Sequence, residues 1–179
     1  MATALEGNDR YMKDHPISDP TGRIFVSYPS STKIGESGVF LIIDHSDSAT
    51  VGMALNKVAL LSFPDVLTSL KIRSAKREKT LRAGIMVNVI AGGKTCSERG
   101  FVLHSPDLRL EGSVRITNDI YLTATVDMIM KIAKGEGPRS AVLVLGLTQW
   151  DQGKFAREIA NGLWLECPLD CDLVFNNCV

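Results

Sequence analysis

The apolar residues of this chain come in short runs separated by turn-forming residues, and this spacing constrains the fold more than any other feature. The longest uninterrupted runs, 39–43 and 141–145, are five residues each. A helix that crosses a bilayer needs about 20 apolar residues, whereas a buried strand needs about 4–8. The N-terminus also lacks a basic start followed by an apolar run, so it is not a secretory signal. We therefore expect a sheet protein without a membrane span, located in the cytoplasm.

Strand composition recurs along most of the chain, with β-branched and aliphatic residues bounded by Gly, Pro, Asn or Asp. The segments at 39–44 and 50–56 flank a polar turn and are predicted to pair as a hairpin. Those at 114–116 and 120–123 flank Asn118-Asp119, a typical hairpin turn. We expect the strand at 141–145 to end in a loop through Gln149-Trp150-Asp151. The predicted strands are 23–28, 39–44, 50–56, 85–91, 100–104, 114–116, 120–123, 141–145 and an edge strand at 172–175.

Three segments show the 3.6-residue period of an amphipathic helix. The first begins at Ser62, with Asp65 in the first turn as its capping partner. The second begins at Thr125, with Val126, Ile129, Met130 and Ala133 on its apolar face, and Gly135 supplies the stop. The third covers 154–161, with Asp151 as a candidate cap.

Strands that form hairpins but also alternate with helices predict a mixed sheet covered by helices. The predicted fold class is therefore α+β (mixed α/β): a single compact domain whose mixed β-sheet is packed by about three to five helices. A chain of 179 residues is of ordinary size for one domain. Residues 1–20 have no apolar period, which predicts a flexible N-terminal arm before a domain at 21–179.

The net charge gives no general argument for binding to nucleic acid or to an anionic membrane, because 20 basic and 20 acidic residues cancel. One basic stretch remains, at 71–82, and it lacks interleaved aromatic residues. A solvated helix end or loop is the simpler interpretation of it, and weak binding of nucleic acid is kept as an alternative. Its cations are Lys71, Arg73, Lys76, Arg77, Lys79 and Arg82.

Four cysteines are too few for a disulfide scaffold in a chain of this length, which favours a reducing compartment. Cys167 and Cys171 form a C-x3-C pair, and Cys178 lies seven residues further on. Structural zinc sites use two paired clusters or add histidines, and neither is present here. We therefore predict no metal and no cofactor.

A series of motifs resembles the AlgH/YqgE family of bacterial proteins. The most specific is the run from Gly92 to Pro106, which contains Arg-Gly-Phe-Val-Leu-His-Ser-Pro. The other matching segments are 51–57, 135–138, 146–153, 161–164 and 172–175. The resemblance implies a compact mixed α/β domain, in a family generally treated as being of unknown function. Some members carry a transcriptional-regulator label, and the family has no catalytic residues to transfer.

Candidate chemistry concentrates in the same run. His104-Ser105 is a tempting pair, but a nucleophilic serine needs an oriented base and this sequence has no nucleophile elbow. Gly92-Gly93 can expose backbone N–H groups to an anion, or it can form a tight turn. Trp150 can line a ligand site or cover the core. The predicted ligand-binding residues are Gly92, Gly93, Arg99, His104, Ser105 and Trp150, and no catalytic residue is predicted.

Three functions follow from these residues. The first is a non-enzymatic binding or regulatory protein with an unknown protein or small-molecule partner. The second is an enzyme acting on a small anionic substrate in a cleft near Gly93, Arg99 and His104. The third is the weak nucleic-acid binder of residues 71–82. A convergent pocket around Arg99 and His104 would favour the enzyme.

Overall fold

The computed structural model describes residues 19–28, 38–72 and 87–175. The first 18 residues of the predicted arm lie outside these ranges, so the boundary predicted between residues 20 and 21 stays a prediction. Most of the basic stretch, from residue 73 onward, also lies outside the described residues.

Nine strands form a sheet with the order β6-β7-β5-β8-β3-β2-β1-β9, and β4 pairs with β8 outside this path. These strands pair in antiparallel fashion except for β4 with β8, so the sheet is mixed, as predicted. The strands are β1 (Ile24–Ser27), β2 (Val39–His45), β3 (Ala49–Ala54), β4 (Asn88–Ala91), β5 (Thr95–His104), β6 (Val114–Arg115), β7 (Tyr121–Thr123), β8 (Ala141–Asp151) and β9 (Trp164–Cys167).

Strand β8 joins two halves of this sheet. Its first part pairs with β4 and β5, and its last part, from Thr148 to Asp151, pairs with β3. We call β9-β1-β2-β3 the β1 half-sheet and β4, β5, β7 and β6 the β5 half-sheet. Gly146, at φ +73°, lies between the two parts of β8, where residues with a side chain are strained. The kink lets one strand serve both half-sheets.

Alternation along the strands divides the buried side chains into three clusters. The inner cluster includes Ile24, Leu41, Leu103 and Val144, and it lies between the half-sheets. A second cluster of mainly aromatic residues covers the outer face of the β1 half-sheet. A third covers the outer face of the β5 half-sheet, with Val102 and Leu143. The core is therefore a curled sheet filled on its inside and packed by helices on its outside.

Four helices occur in the described part of the chain, within the predicted range. They are α1 (Phe63–Ser69), α2 (Val126–Lys134), α3 (Lys154–Ala160) and α4 (Cys171–Phe175). The predicted capping partners of α1 are confirmed, because the Ser62 N–H donates to the Asp65 carboxylate at 2.9 Å. Gly135 ends α2 in the left-handed conformation, as expected. Helices α1 and α2 pack on the β5 half-sheet, and α3 packs on the β1 half-sheet.

Four local predictions were wrong. Asp151 does not cap α3, since Gly153 occupies the position before this helix and no side chain caps it. Val126, predicted on the apolar face of α2, is exposed, and Met128 and Ile132 are buried there instead. The loop expected at 149–151 is the last part of β8, because the strand continues through Gly146 instead of ending there. The edge strand expected at 172–175 is helix α4. Asp170 explains this helix, since its carboxylate accepts the N–H of Asp172 at 2.8 Å and of Leu173 at 3.4 Å. Such local capping favours a helical turn over an extended strand.

Candidate functional site

His104 ends β5, and its ring is completely buried. Its Nδ1 lies 2.9 Å from the carbonyl oxygen of Ser105, which can only accept, so Nδ1 carries a proton. Burial lowers the pKa of His104 below its usual 6.5, with the Ser105 carbonyl and Asp107 opposing that shift in part. The ring is therefore neutral at pH 7, and Nε2 is an acceptor.

A chain of hydroxyls continues from this ring. Thr123 Oγ1 lies 2.8 Å from Nε2 and must donate to it. Ser113 Oγ, at 2.7 Å from Thr123 Oγ1, then donates to Thr123 and itself accepts the Leu110 N–H at 3.0 Å. One orientation of the protons satisfies every member of this chain. These hydrogen bonds tie the loop at 105–113 to β5 and β7.

Ser105 is held in the same loop and does not face the His104 ring nitrogens. Its hydroxyl donates to Asp107, and it accepts the Ser140 N–H at 3.1 Å. Burial alone would raise the pKa of Asp107, but hydrogen bonds from Ser105 and from the Arg139 N–H outweigh it and lower that pKa. Since both His104 nitrogens have other partners, the geometry contains no Ser-His pair of the kind that activates a nucleophile.

Gly92 and Gly93 are positions where the backbone of β8 approaches closely. The Gly92 N–H donates to the Leu145 carbonyl at 2.8 Å, and its own carbonyl accepts from Thr148 Oγ1 at 3.1 Å. A Cβ on Gly93 would overlap the Leu147 carbonyl. The N–H of Gly92 is thus used inside the sheet, and the close approach explains why both residues are glycine.

Arg99 and Trp150 lie in different surroundings. Arg99 is exposed, and its guanidinium carbon lies 5.8 Å from the centroid of the Phe101 ring. Trp150 is buried in the aromatic cluster, 4.8 Å from Phe155 and 5.8 Å from Trp164 between ring centroids. The Trp164 Nε1–H in turn donates to the buried carboxylate of Glu158 at 2.8 Å. Trp150 therefore covers the core and does not line a cleft.

The register of β8 separates the six predicted ligand-binding residues. His104 pairs with Ala141 at the start of β8, whereas Trp150 lies nine residues further along the same strand, which is about 30 Å at 3.3 Å per residue before curling. His104 and Trp150 therefore cannot contact one small ligand. The ligand-binding role of each residue stays a prediction.

Sequence reasoning missed a cleft of about 320 Å³ between the 110–111 turn and α2. This volume is at the lower end of the range for small-molecule sites. Its wall at Leu110 is fixed by the hydroxyl chain from His104. The lining residues are Leu110, Glu111, Thr125, Asp127, Met130, Lys131 and Lys134.

Thr125 is the unusual member of this lining. Its hydroxyl is buried, and it is the only buried side-chain polar atom of the described residues without a hydrogen-bond partner. The residue was predicted as the cap of α2 and does precede the helix, but its side chain makes no capping bond. A buried hydroxyl without a partner is destabilising by about 1–3 kcal/mol, so its position needs an explanation. The capping pattern predicted where Thr125 lies, but not that its hydroxyl lacks a partner.

Metal-binding and membrane-spanning features are absent from the same ranges. No group of three or more His, Cys, Asp and Glu side chains in the described residues could hold a metal ion. Cys96, Cys167 and Cys171 are free thiols, and burial raises the pKa of Cys171 with help from nearby carboxylates. None of the described helices has the length and apolar character to cross a membrane.

These features define a class: a single-domain α+β protein with a curled mixed sheet and a small cleft beside a helix. A family model described as DUF179, AlgH-like, matches residues 34–179. The chain is 41% identical over 162 residues to a UPF0301 protein of Methylobacterium nodulans, covering 87% of this chain and 76% of that one. A UPF0301 protein of Mesorhizobium japonicum is 40% identical over 139 residues, covering 77% and 69%. The chain therefore belongs to the AlgH-like (UPF0301) family, and the predicted resemblance is confirmed.

Solved structures support the fold. The solution structure of the AlgH protein from Pseudomonas aeruginosa matches with a TM-score of 0.73 at 23% identity, over 92% of this chain and 85% of that one. A crystal structure of a protein from Corynebacterium diphtheriae matches with a TM-score of 0.66 at 20% identity, over 94% and 86%. At these identities the likeness shows a shared fold.

Proposed function

We propose that this protein is a non-enzymatic binding protein with a regulatory role, and that a small polar molecule binds in the cleft beside α2. The observation that carries the proposal is Thr125, which lines a ligand-sized cleft and whose buried hydroxyl has no partner within the described protein. The hydroxyl has almost no accessible surface, so a ligand group bonds to it only when the Thr125 side chain rotates towards the cleft. That bond would remove the cost of burying the hydroxyl.

The surroundings of His104 favour binding over catalysis. The side chains that resembled catalytic machinery use their hydrogen-bonding groups inside the fold: His104 at both nitrogens, and Ser105 with Asp107 and Ser140. A group engaged in this way holds a loop in position and is not poised to move a proton to a substrate. The regulatory part of the proposal rests on the family resemblance alone.

A pair of threonine substitutions tests the role of the cleft in the free protein. Thr125→Val keeps the shape of the side chain and removes a hydroxyl that has no partner, so we expect the free energy of unfolding to rise by about 1 kcal/mol. The matched control, Thr123→Val, removes a hydroxyl with two partners and leaves Nε2 of His104 unpaired. It should lower the free energy of unfolding by about 2–3 kcal/mol. Denaturant titration measures both.

Binding is tested on the same pair of proteins. A small-molecule extract of bacterial cells should raise the melting temperature of the wild type, and Thr125→Val should reduce that rise because it removes the hydroxyl that the ligand needs. If Thr125→Val destabilises the free protein as Thr123→Val does, Thr125 is an ordinary structural residue. In that case the cleft does not carry the function.

A further inference from the structure

The charged groups of the cleft are separated by sign along α2. Asp127 lies in the first turn of the helix, and Lys131 and Lys134 lie in its last turn. Glu111 lies on the facing turn, and the next residue, Gly112, is close to Thr125, since a Cβ built on it would be 3.8 Å from Thr125 Cγ2. Asp127, Met130, Lys131 and Lys134 follow the i, i+3, i+4, i+7 spacing, which places them on one face. The cleft therefore offers a negative end and a positive end on the same helix.

Apolar side chains lie between those ends. Met130 of α2 and Leu110 of the facing turn both line the cleft, and both are partly buried. At 1.5 Å per residue, Asp127 lies about 6 Å along the helix axis from Lys131 and about 10 Å from Lys134. A complementary ligand has an apolar middle and two opposite charges about 6–10 Å apart.

Most of these charges have no ion-pair partner among the described residues. Lys131 is 3.5 Å from Glu136, whereas Asp127, Glu111 and Lys134 make no ion pair with any described residue. Asp127, in the first turn, and the 110–111 turn that carries Glu111 both lie near Thr125, whose hydroxyl has no partner. An ammonium group has three donors and no acceptor, so it matches two carboxylates and one hydroxyl oxygen.

We infer that the ligand of this cleft is a zwitterion, an ω-amino acid or a short peptide, with its ammonium at Glu111, Asp127 and Thr125 and its carboxylate at Lys131 and Lys134. The inference rests on the proposed function, because it specifies the ligand of the same cleft. The ω-amino acid and the peptide share one chemistry: each has an amine and a carboxylate, separated by a linker that packs on Leu110 and Met130.

The probe for an ω-amino acid ligand is 6-aminohexanoate. Its binding to the full chain is measured by NMR titration, from changes in the backbone amide signals. We expect saturable shifts at Glu111, Thr125, Asp127 and Lys134 at millimolar concentration. Hexanoate and hexylamine each lack one charge and should bind at least about 10-fold more weakly, which corresponds to 1.4 kcal/mol. A tripeptide, Gly-Leu-Gly, is the second arm, and tighter binding than 6-aminohexanoate assigns the cleft to peptides.

Substitutions at each end test the placement of the charges. Asp127→Asn and Lys134→Gln should each weaken 6-aminohexanoate binding about 3- to 10-fold, since each removes one of two attractions at its end. Lys154→Gln is the matched control, because it removes an exposed lysine at the start of α3 that does not line the cleft. It should leave the affinity unchanged.

Several results would overturn the inference. Equal binding of hexylamine, equal binding of hexanoate, shifts confined to other residues, or no shifts at all each exclude a zwitterion site. These results leave the proposed function itself open to its own test. If the cell extract still raises the melting temperature of the wild type and Thr125→Val still reduces that rise, the cleft binds a ligand of another class.

Discussion

At the scale of single residues, His104 shows how a polar side chain becomes part of the core. Its two nitrogens are used by Ser105 and by Thr123, and its ring has no exposed surface. Buried polar groups that are fully hydrogen-bonded hold a single arrangement, whereas removal of one member leaves the others unsatisfied. His104 is therefore expected to stabilise the 105–113 loop.

We predict that His104→Ala lowers the free energy of unfolding by about 3–4 kcal/mol, from a cavity and an unpaired Thr123 hydroxyl. His45→Ala is the matched control. His45 is partly exposed, and its side chain makes one hydrogen bond, Nδ1 to Thr50 Oγ1 at 2.8 Å, so this substitution should lower the free energy of unfolding by about 1 kcal/mol. Denaturant titration measures both variants. Equal losses would show that the hydrogen-bonded series from His104 through Thr123 to Ser113 contributes no more than one hydrogen bond.

The same histidine predicts a dependence of stability on pH. Its pKa in the fold is below the value of about 6.5 that it has when unfolded, so the fold favours the neutral ring. The stability that this provides is fully present above pH 6.5 and is lost as the pH falls through the folded pKa. We expect His104→Gln to flatten the fall in unfolding free energy between about pH 7 and 5. An unchanged profile would assign that fall to other groups.

The sequence predicted part of this arrangement. His104 lies at the end of a predicted strand and Ser105-Pro106 turn the chain there, as local residue types indicate. The partners could not be predicted, because Ser113 and Thr123 are distant in sequence and nothing in their neighbours marks them. Tertiary contacts alone bring the three side chains together.

At the scale of elements, β8 depends on Gly146. A Cβ at this position would overlap the Gly93 carbonyl and would lie 3.0 Å from Ser97 Cα and 3.1 Å from the Thr95 carbonyl oxygen. These neighbours are backbone atoms, which cannot move aside as a flexible side chain can. Strand β8 is thus tied to the bulge in β5 between Thr95 and Gly100.

We predict that Gly146→Ala lowers the free energy of unfolding by at least about 3 kcal/mol, from the positive φ and the overlap together. Gly162→Ala is the control, since Gly162 has a similar φ of +67° and a Cβ there would meet nothing within 4 Å. It should cost only about 1 kcal/mol. Thermal and denaturant unfolding compare the two, and a small loss at Gly146 would mean that the strands shift easily.

Element predictions succeeded where periodicity was strong and failed at glycines and short ends. The hairpin of β2 and β3 and the helix α2 were predicted from alternation and capping residues. The extension of β8 was missed because glycine usually ends a strand, and here it permits a kink. Helix α4 was missed because the short apolar run Leu173-Val-Phe175 is compatible with either structure.

At the scale of the whole molecule, β8 makes the two half-sheets one structure. If β8 leaves, β3 and β5 each lose the neighbour that joins the half-sheets, and β4 loses its ladder, since all three pair with β8. We therefore predict one cooperative unfolding transition. Fluorescence of Trp150 and Trp164 reports on the β1 half-sheet, and NMR intensities of Val102 and Leu143 report on the β5 half-sheet. The two midpoints should coincide, and separate midpoints would show independent units.

The position of β8 in the chain also sets the order in which the protein can be completed during its synthesis. Strand β3 ends at Ala54 and β5 at His104, but the strand they both pair with ends only at Asp151. At about 5–20 residues per second, the ribosome takes about 5–20 seconds to pass from the end of β3 to the end of β8. During that interval the edge of β3 that belongs to β8 is unpaired, and the edge of β5 is unpaired from the completion of His104 onward. Both edges are then open to pairing with the wrong strand.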